Sequence, residues 1–293
     1  MSALPSTPPP SVTTALTAFS EIASSFDLCL CDIWGVVHNG VAAHPEAIEA
    51  LVAVRERGTT VILVTNAPRP RSAIEVQLDG LSVPKAAYDG IVTSGDVCRA
   101  LIQARAGQPV YMLGPDRDLP LLAGLDAPRV APEQASYVLC TGLFDDETET
   151  AETYAELLSG FEARGLTLIC ANPDLVVERG GAIVPCAGSI ALAYEEIGGE
   201  AVYAGKPHPP IYEAALAMAQ AERGGPITRK RICAIGDAIR TDIAGANAFG
   251  ITGIMVMAGI HAQDLLAASW DERHGWFSLQ DQRPHYALPH LVW

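Results

Sequence analysis

A doubly wound α/β fold, with a mostly parallel sheet and a second α/β domain inserted into it, is what this sequence predicts. Three observations carry that prediction. Short apolar runs rich in β-branched residues alternate with amphipathic stretches of helical length. A second alternating series occupies the middle of the chain, after which the first series resumes. The runs end on polar residues, Asp32, Thr65 and Ser94 among them, along one carboxyl edge, where open parallel sheets collect their ligands.

The elements follow in order. "FDLCLCDI" (26–33) is a buried strand, short and apolar with turn residues after it. "HPEAIEALVAVRERG" (44–58) is an amphipathic helix with Ile48, Leu51, Val52 and the stem of Arg55 on one stripe and Gly58 as its stop. "TTVILVTNAP" (59–68) is a second strand, "RSAIEVQLDGLSV" (71–83) a helix and "GIVTSG" (90–95) a third strand. This β-α-β-α-β order implies helices on both faces of a parallel sheet.

The middle series comprises strands in 109–114, 135–143 and 166–173 and helices in 149–165 and 189–199. The first series then resumes with "AVYAGKPHP" (201–209), the helix 210–224, the strand "RICAIGDA" (231–238), the helix 242–250 and the strand 251–257. The expected organisation is a core of residues 1–95 and 203–293, with 1–14 a flexible lead-in, around an α/β domain of residues 96–202. The tail holds Trp270, Trp276 and Trp293 and is expected to strap the core without chemistry.

Composition narrows the function. The chain has 293 residues, 49% apolar and 18% charged, enough for a sizeable core and unlike a disordered chain. Its net charge of −15 excludes a nucleic-acid surface and disfavours anionic membranes, so an anionic substrate needs a cationic group in the site. The seven cysteines are odd in number, lack a CxxC and lie in apolar runs, as buried reduced thiols of a cytoplasmic protein do. No run approaches membrane-span length, and the Pro-broken start "MSALPSTPPPSV" does not resemble a signal peptide.

Asp32, Thr65 with Asn66, and Asp237 followed by Asp242 end buried strands, and Lys206 precedes a helix opened by Pro209 and Pro210. Singly, each carboxylate reads as a cap. Gathered, they repel, and a hard divalent cation resolves the repulsion; Mg²⁺ takes one or two carboxylates plus waters and a phosphate. Thr65, Asn66 and Lys206 would then meet the remaining phosphate oxygens, which is the inventory of phosphoryl transfer to an aspartate. The Gly-Lys of "AGKPHP" is no nucleotide P-loop, because the preceding glycine pattern is missing. The acidic run "DDETET" (145–150) suits a helix N-terminus better than a second metal site. "GGAIVPCAGS" (180–189) is either a turn into a helix or a segment that closes on substrate.

These motifs resemble the haloacid dehalogenase (HAD) superfamily. "DIWGVV" looks like a variant of its first motif D-x-D-G, "VTNAPR" like its hydroxyl-bearing second motif, and "GKPHPPIY" like its lysine motif. "IGDAIRTDIAGANAFG" matches its acidic fourth motif. Their order, "TSGD" and "NPD...GGAIVPCAGSIA" resemble class IIA, the NagD-type, nitrophenyl-phosphate and pyridoxal-phosphate phosphatases.

The resemblance implies roles. Asp32 would be the nucleophile and a Mg²⁺ ligand, Asp237 a direct ligand and Asp242 a second carboxylate near the metal. The backbone carbonyl of Trp34 would ligate the metal too. Thr65, the Asn66 backbone and Lys206 would bind the phosphoryl group, Lys206 also pairing with Asp32. Gly35 would permit the tight turn. The inserted domain would be a cap that excludes water and selects substrate. The implied partner is a small phosphorylated metabolite such as a sugar or aryl phosphate, with no nucleic acid, no membrane, and a homodimer left open.

Trp34 departs from the pattern, since most of these phosphatases carry there the aspartate that protonates the leaving group. General acid–base assistance is worth about 10²- to 10⁴-fold. Three readings follow: a slow or leaving-group-selective phosphatase, with His38 or His208 as substitute acid; a metal- and phosphate-binding protein without turnover; or another HAD chemistry such as dehalogenation, against which the metal carboxylates count. Trp34 itself, like His38 and His208, is a candidate cap or substrate contact, by space-filling or by stacking on a substrate ring.

Overall fold

The computed structural model describes residues 10–179 and 182–293; residues 1–9 of the lead-in and Gly180 and Gly181 of the Gly-rich stretch lie outside the described residues. In chain order the elements begin β1 (Thr14–Ala15), β2 (Leu28–Asp32), α1 (Pro45–Glu56), β3 (Thr60–Thr65), α2 (Arg71–Gly80), β4 (Gly90–Thr93) and α3 (Ser94–Gln103). There follow β5 (Val110–Leu113), β6 (Tyr137–Cys140), α4 (Ala155–Glu162), β7 (Thr167–Cys170), β8 (Val176–Arg179), β9 (Ala182–Pro185), α5 (Ala187–Glu196) and β10 (Glu200–Tyr203). The last are α6 (Pro209–Arg223), β11 (Ile232–Gly236), α7 (Ala244–Phe249), β12 (Thr252–Val256), α8 (Ala262–Leu265), α9 (Trp270–Ser278) and β13 (Tyr286–Leu288).

The chain forms two compact units, one of residues 1–65, 75–92 and 206–293, the other of 66–74 and 93–205. Residues 66–74, expected in the core, cluster with the second unit.

The first unit is built on a seven-stranded sheet of order β1-β13-β12-β11-β2-β3-β4. The pairs from β1·β13 through β2·β3 all run parallel. Every residue of β2, β3 and β11 is buried, as expected for central strands covered on both faces. Burying each Leu, Ile or Val here is worth about 1.5–3 kcal/mol, so the core is centred on these three strands. From β2 the chain moves to β3 on one side, while β11 pairs on the other. The strand order reverses at that point, which places the crevice at the carboxyl ends of β2 and β11.

Three local expectations change. Helix α1 buries Ala47, Ala50, Leu51 and Val54, leaving Ile48 and Val52 at the flank, because the small alanines let the helix lie close. The lead-in is tied down before its expected end: Thr13 Oγ1 donates to the Pro284 carbonyl at 2.9 Å, and Thr14 pairs with Tyr286. The tail is no strap. It supplies β13 to the sheet and α9 to a cluster in which Phe277 packs with Ile239, Ile243, Met255 and Leu265, flanked by Trp270 and Trp276.

The second unit has a four-stranded parallel sheet of order β10-β7-β6-β5 and the antiparallel hairpin β8-β9. Its core gathers Leu158, Phe161, Leu168, Ile190 and Tyr194, and the Tyr194 hydroxyl donates to the Leu166 carbonyl at 2.7 Å. Helix α3, which the reading of 90–95 as a strand end overlooked, starts directly after β4, with Thr93 Oγ1 accepting from Asp96 N–H. All seven cysteines are buried, and no disulfide joins any of the described residues. No helix of the described residues is long and apolar enough to cross a membrane.

Candidate active site

The site begins at the carboxyl end of β2. Asp32 is the last residue of that strand and is buried. Its Oδ1 accepts from the Ile33 N–H at 2.8 Å and lies 2.7 Å from Lys206 Nζ. Oδ2 takes no hydrogen bond from the described residues. Ile33 and Lys206 thus anchor one of the two oxygens.

Asp237 follows β11, the neighbouring strand, by one residue. Its Oδ2 accepts from the Ile260 N–H at 2.8 Å. Two glycines make room for it: a Cβ on Gly35 would lie 2.1 Å from Oδ2, and one on Gly259 would lie 1.8 Å from it. Gly35 also has φ +80°, a left-handed conformation that disfavours any side chain.

Asp242 arrives by a different device. Residues Ile239–Ile243 form a π-helical turn, with the Ile243 N–H donating to the Ala238 carbonyl at 3.2 Å, before α7 begins. Such one-turn widenings recur at functional sites. The turn carries the Asp242 carboxylate back over Gly236, where a Cβ would meet its Cγ at 2.0 Å. Oδ2 of Asp242 accepts from the Ala238 N–H at 3.2 Å, and Oδ1 accepts from Lys206 Nζ at 2.7 Å. Tyr212 of α6 is fully buried beneath the turn, and its ring stacks on Phe249 at 5.4 Å.

Asp32, Asp237 and Asp242 therefore offer three carboxylate oxygens within 4.8 Å of one another, all from buried residues. Among the described residues no other such group exists, and the acidic run at 145–150 forms none. Asp145 instead closes its own turn, accepting from the Glu147 N–H and the Thr148 hydroxyl. Burial pushes the Asp32 carboxyl well above the usual carboxylate range; Asp242 adds to this, Lys206 opposes it and Asp237 adds again. Burial alone would lower the Lys206 ammonium, but Asp242 and then Asp32 outweigh it and hold the pKa well above its usual value. Three carboxylates against one ammonium leave two negative charges in a buried space, which a divalent cation with hard oxygen ligands matches. The residues fit Mg²⁺.

The loop after β2 holds Trp34, which is 36% exposed. Its ring meets that of His38 edge-on at 5.2 Å, and a Cβ on Gly40 would lie 2.4 Å from the indole. His38 is buried, and its Nδ1 accepts from the Gly40 N–H at 2.9 Å. The Trp34–His38 bridge uses the Ile33 carbonyl and the Gly35 N–H, and no hydrogen bond among the described residues uses the Trp34 carbonyl.

Residues 29–127 match a family described as haloacid dehalogenase-like hydrolase, and residues 203–291 match a second HAD-like description. The solved structure of a hydrolase of the haloacid dehalogenase-like family from Brucella suis 1330 is 42% identical, covers 94% of this chain and 100% of that one, and superposes with a TM-score of 0.85. This chain belongs to the haloacid dehalogenase-like family. The ribonucleotide monophosphatase NagD of Escherichia coli (strain K12) is 28% identical over 80% of this chain and 89% of NagD, placing the chain in class IIA. The glycerol phosphate phosphatase Rv1692 from Mycobacterium tuberculosis, solved in complex with magnesium, is 26% identical over 91% of this chain and 76% of that one, with a TM-score of 0.65.

Against this HAD framework the remaining expected residues fall as follows. Thr65 is the buried last residue of β3, beside β2. Asn66 opens the second unit, and its side-chain amide donates to Asp174 Oδ1 at 2.9 Å. His208 occupies the N-cap position of α6 without a side-chain cap bond, half-buried. Reading the sequence missed Gly236, Gly259, the Ile260 N–H and Tyr212. Gly236 lay inside the quoted fourth motif; "AGI" at 258–260 carries no signal of its own.

Proposed function

We propose that this HAD chain is a Mg²⁺-dependent phosphatase of small phosphorylated metabolites in the cytoplasm, with its second unit as the class IIA cap. The observation that carries this reading is the buried cluster of Asp32, Asp237 and Asp242 with Lys206 bridging two of them at 2.7 Å. The named activities of NagD and of the mycobacterial glycerol phosphate phosphatase, the latter solved with magnesium, support it.

Asp32, Asp237 and the Trp34 carbonyl would hold the ion, with Asp242 behind them. When bound, Mg²⁺ supplies positive charge to the carboxylates and to the phosphoryl oxygens. Asp32 Oδ2 attacks phosphorus while Oδ1 stays fixed by Ile33 N–H and Lys206. Thr65 and the backbone of Asn66, at the end of β3, donate to the phosphoryl oxygens, and Lys206 neutralises them. The Trp34 indole N–H is too weak an acid to protonate a leaving alkoxide, and His38 is buried against the Trp34 ring with Nδ1 accepting the Gly40 N–H. Esters whose leaving oxygen is acidic, such as aryl phosphates, therefore react faster than alkyl phosphates.

The test is release of inorganic phosphate from a panel of aryl, sugar and nucleotide monophosphates with and without Mg²⁺. Mg²⁺-dependent release that Asp32→Asn abolishes is expected. Undiminished release by Asp32→Asn would sink the assignment.

A further inference from the structure

We propose that the phosphoryl group on Asp32 passes back to ionised oxygen acceptors faster than it passes to water, making the chain a phosphoryl-exchange enzyme with a long-lived aspartyl-phosphate. The inference rests on the phosphatase reading above and extends it.

Count the protons in each direction. In the forward step an O–P bond forms from Asp32 Oδ2, the P–O bond of the ester breaks, and the electron pair leaves on an oxygen stable as an anion. No proton moves. In the reverse step that oxyanion attacks phosphorus, the bond to Asp32 breaks, and the pair returns to the carboxylate. Again no proton moves. Attack by water differs, since the new P–O bond leaves a proton that needs a base, and such assistance is worth about 10²- to 10⁴-fold.

Trp34, His38, Lys206 and the carboxylates around Asp32 are poor bases for that proton. The Trp34 indole is a donor with no acceptor lone pair. His38 Nδ1 already accepts the Gly40 N–H, and the ring is buried against Trp34. Both oxygens of Asp242 are taken, by Lys206 and the Ala238 N–H. Asp237 Oδ2 accepts from Ile260 between two glycines. Lys206 is an ammonium between two carboxylates. Trp34, whose ring packs against His38 and Gly40, brings no carboxylate to the position two residues after Asp32.

The experiment mixes the full chain, Mg²⁺ and 4-nitrophenyl phosphate with excess ring-deuterated 4-nitrophenol. Expected are a burst of one equivalent of nitrophenol, an intact mass raised by one phosphoryl group, and deuterated ester forming faster than inorganic phosphate. Asp32→Asn gains no mass. Trp34→Asp raises phosphate release by about 10²- to 10⁴-fold and removes the phosphorylated form. Trp34→Asn, which removes the ring without adding a base, keeps that form. Steady phosphate release with no mass gain and no deuterated ester overturns this inference and leaves the phosphatase standing. Slower phosphate release in His208→Ala also overturns it, by identifying a base. No nitrophenol release at all overturns both.

Discussion

A methyl group on Gly35 would lie 2.1 Å from Oδ2 of Asp237, closer than any real Cβ contact. The loop that carries Trp34 and the carboxylate after β11 are therefore fitted to each other through a missing side chain. Gly35→Ala is expected to displace Asp237 and weaken Mg²⁺ binding, with a left-handed backbone penalty of about 1–2 kcal/mol added. Calorimetric titration with Mg²⁺ and thermal unfolding measure the two effects separately. Unchanged Mg²⁺ affinity in this variant would falsify the fit.

Lys206 is the cation buried with Asp32 and Asp242. Truncating it as Lys206→Met leaves their charges unmatched, and breaking a buried pair in this way costs about 3–5 kcal/mol. Denaturant unfolding without metal is expected to show that loss. Saturating Mg²⁺ recovers part of the stability, while phosphate release stays depressed.

Metal removal follows from the same charge balance. At free Mg²⁺ a hundredfold above its Kd, binding stabilises the folded chain by about 2.7 kcal/mol. Chelation lowers the melting temperature accordingly. Asp237→Asn is expected to melt at the same temperature with and without Mg²⁺, and circular dichroism on heating reads the difference.

Far from the site, Arg231 grips Asp27 through Nε at 2.6 Å and a terminal nitrogen at 2.9 Å. The Arg231 hydrogen bonds hold the Asp27 carboxyl below its usual range. A folded value below the unfolded one near 3.9 gives stability that is present above that pH and is lost as pH falls through the folded value. Both side chains are partly exposed, so the pair is worth about 1 kcal/mol or less. Asp27→Asn is expected to be the less stable protein at neutral pH and to match the parent once the carboxyl is protonated. A gap that persists once the folded carboxyl is protonated would refute the account.

Much of this molecule is legible in its sequence because parallel sheets put chemistry where strands end. Asp32, Thr65 and Asp237 close buried apolar runs, and it is their recurrence at strand ends together with Lys206 that marks them, since each alone reads as a cap. The π-helical turn that brings back Asp242 is not legible, since its extra residue depends on one longer-range backbone bond. Nor is the Asp237 cradle, half of which comes from Gly259 and the Ile260 N–H, in an unremarkable loop. Helix α3 had a signal in Thr93 and Asp96, a cap spacing masked by the strand running straight into it. The buried face of α1 is not legible from its largest apolar residues, because closely packing Ala47 and Ala50 turn the helix so that Ile48 and Val52 stand at the flank.

The pairing of β2 with β11 joins Cys31 to Ile235 across the whole inserted unit. A nascent polypeptide emerging from the ribosome carries Asp32 early, yet the partner strand and its carboxylates appear only after most of the second unit has been made. Contacts between such remote segments slow folding. The cluster of Asp32, Asp237 and Asp242 is therefore assembled only after the middle of the protein has been made.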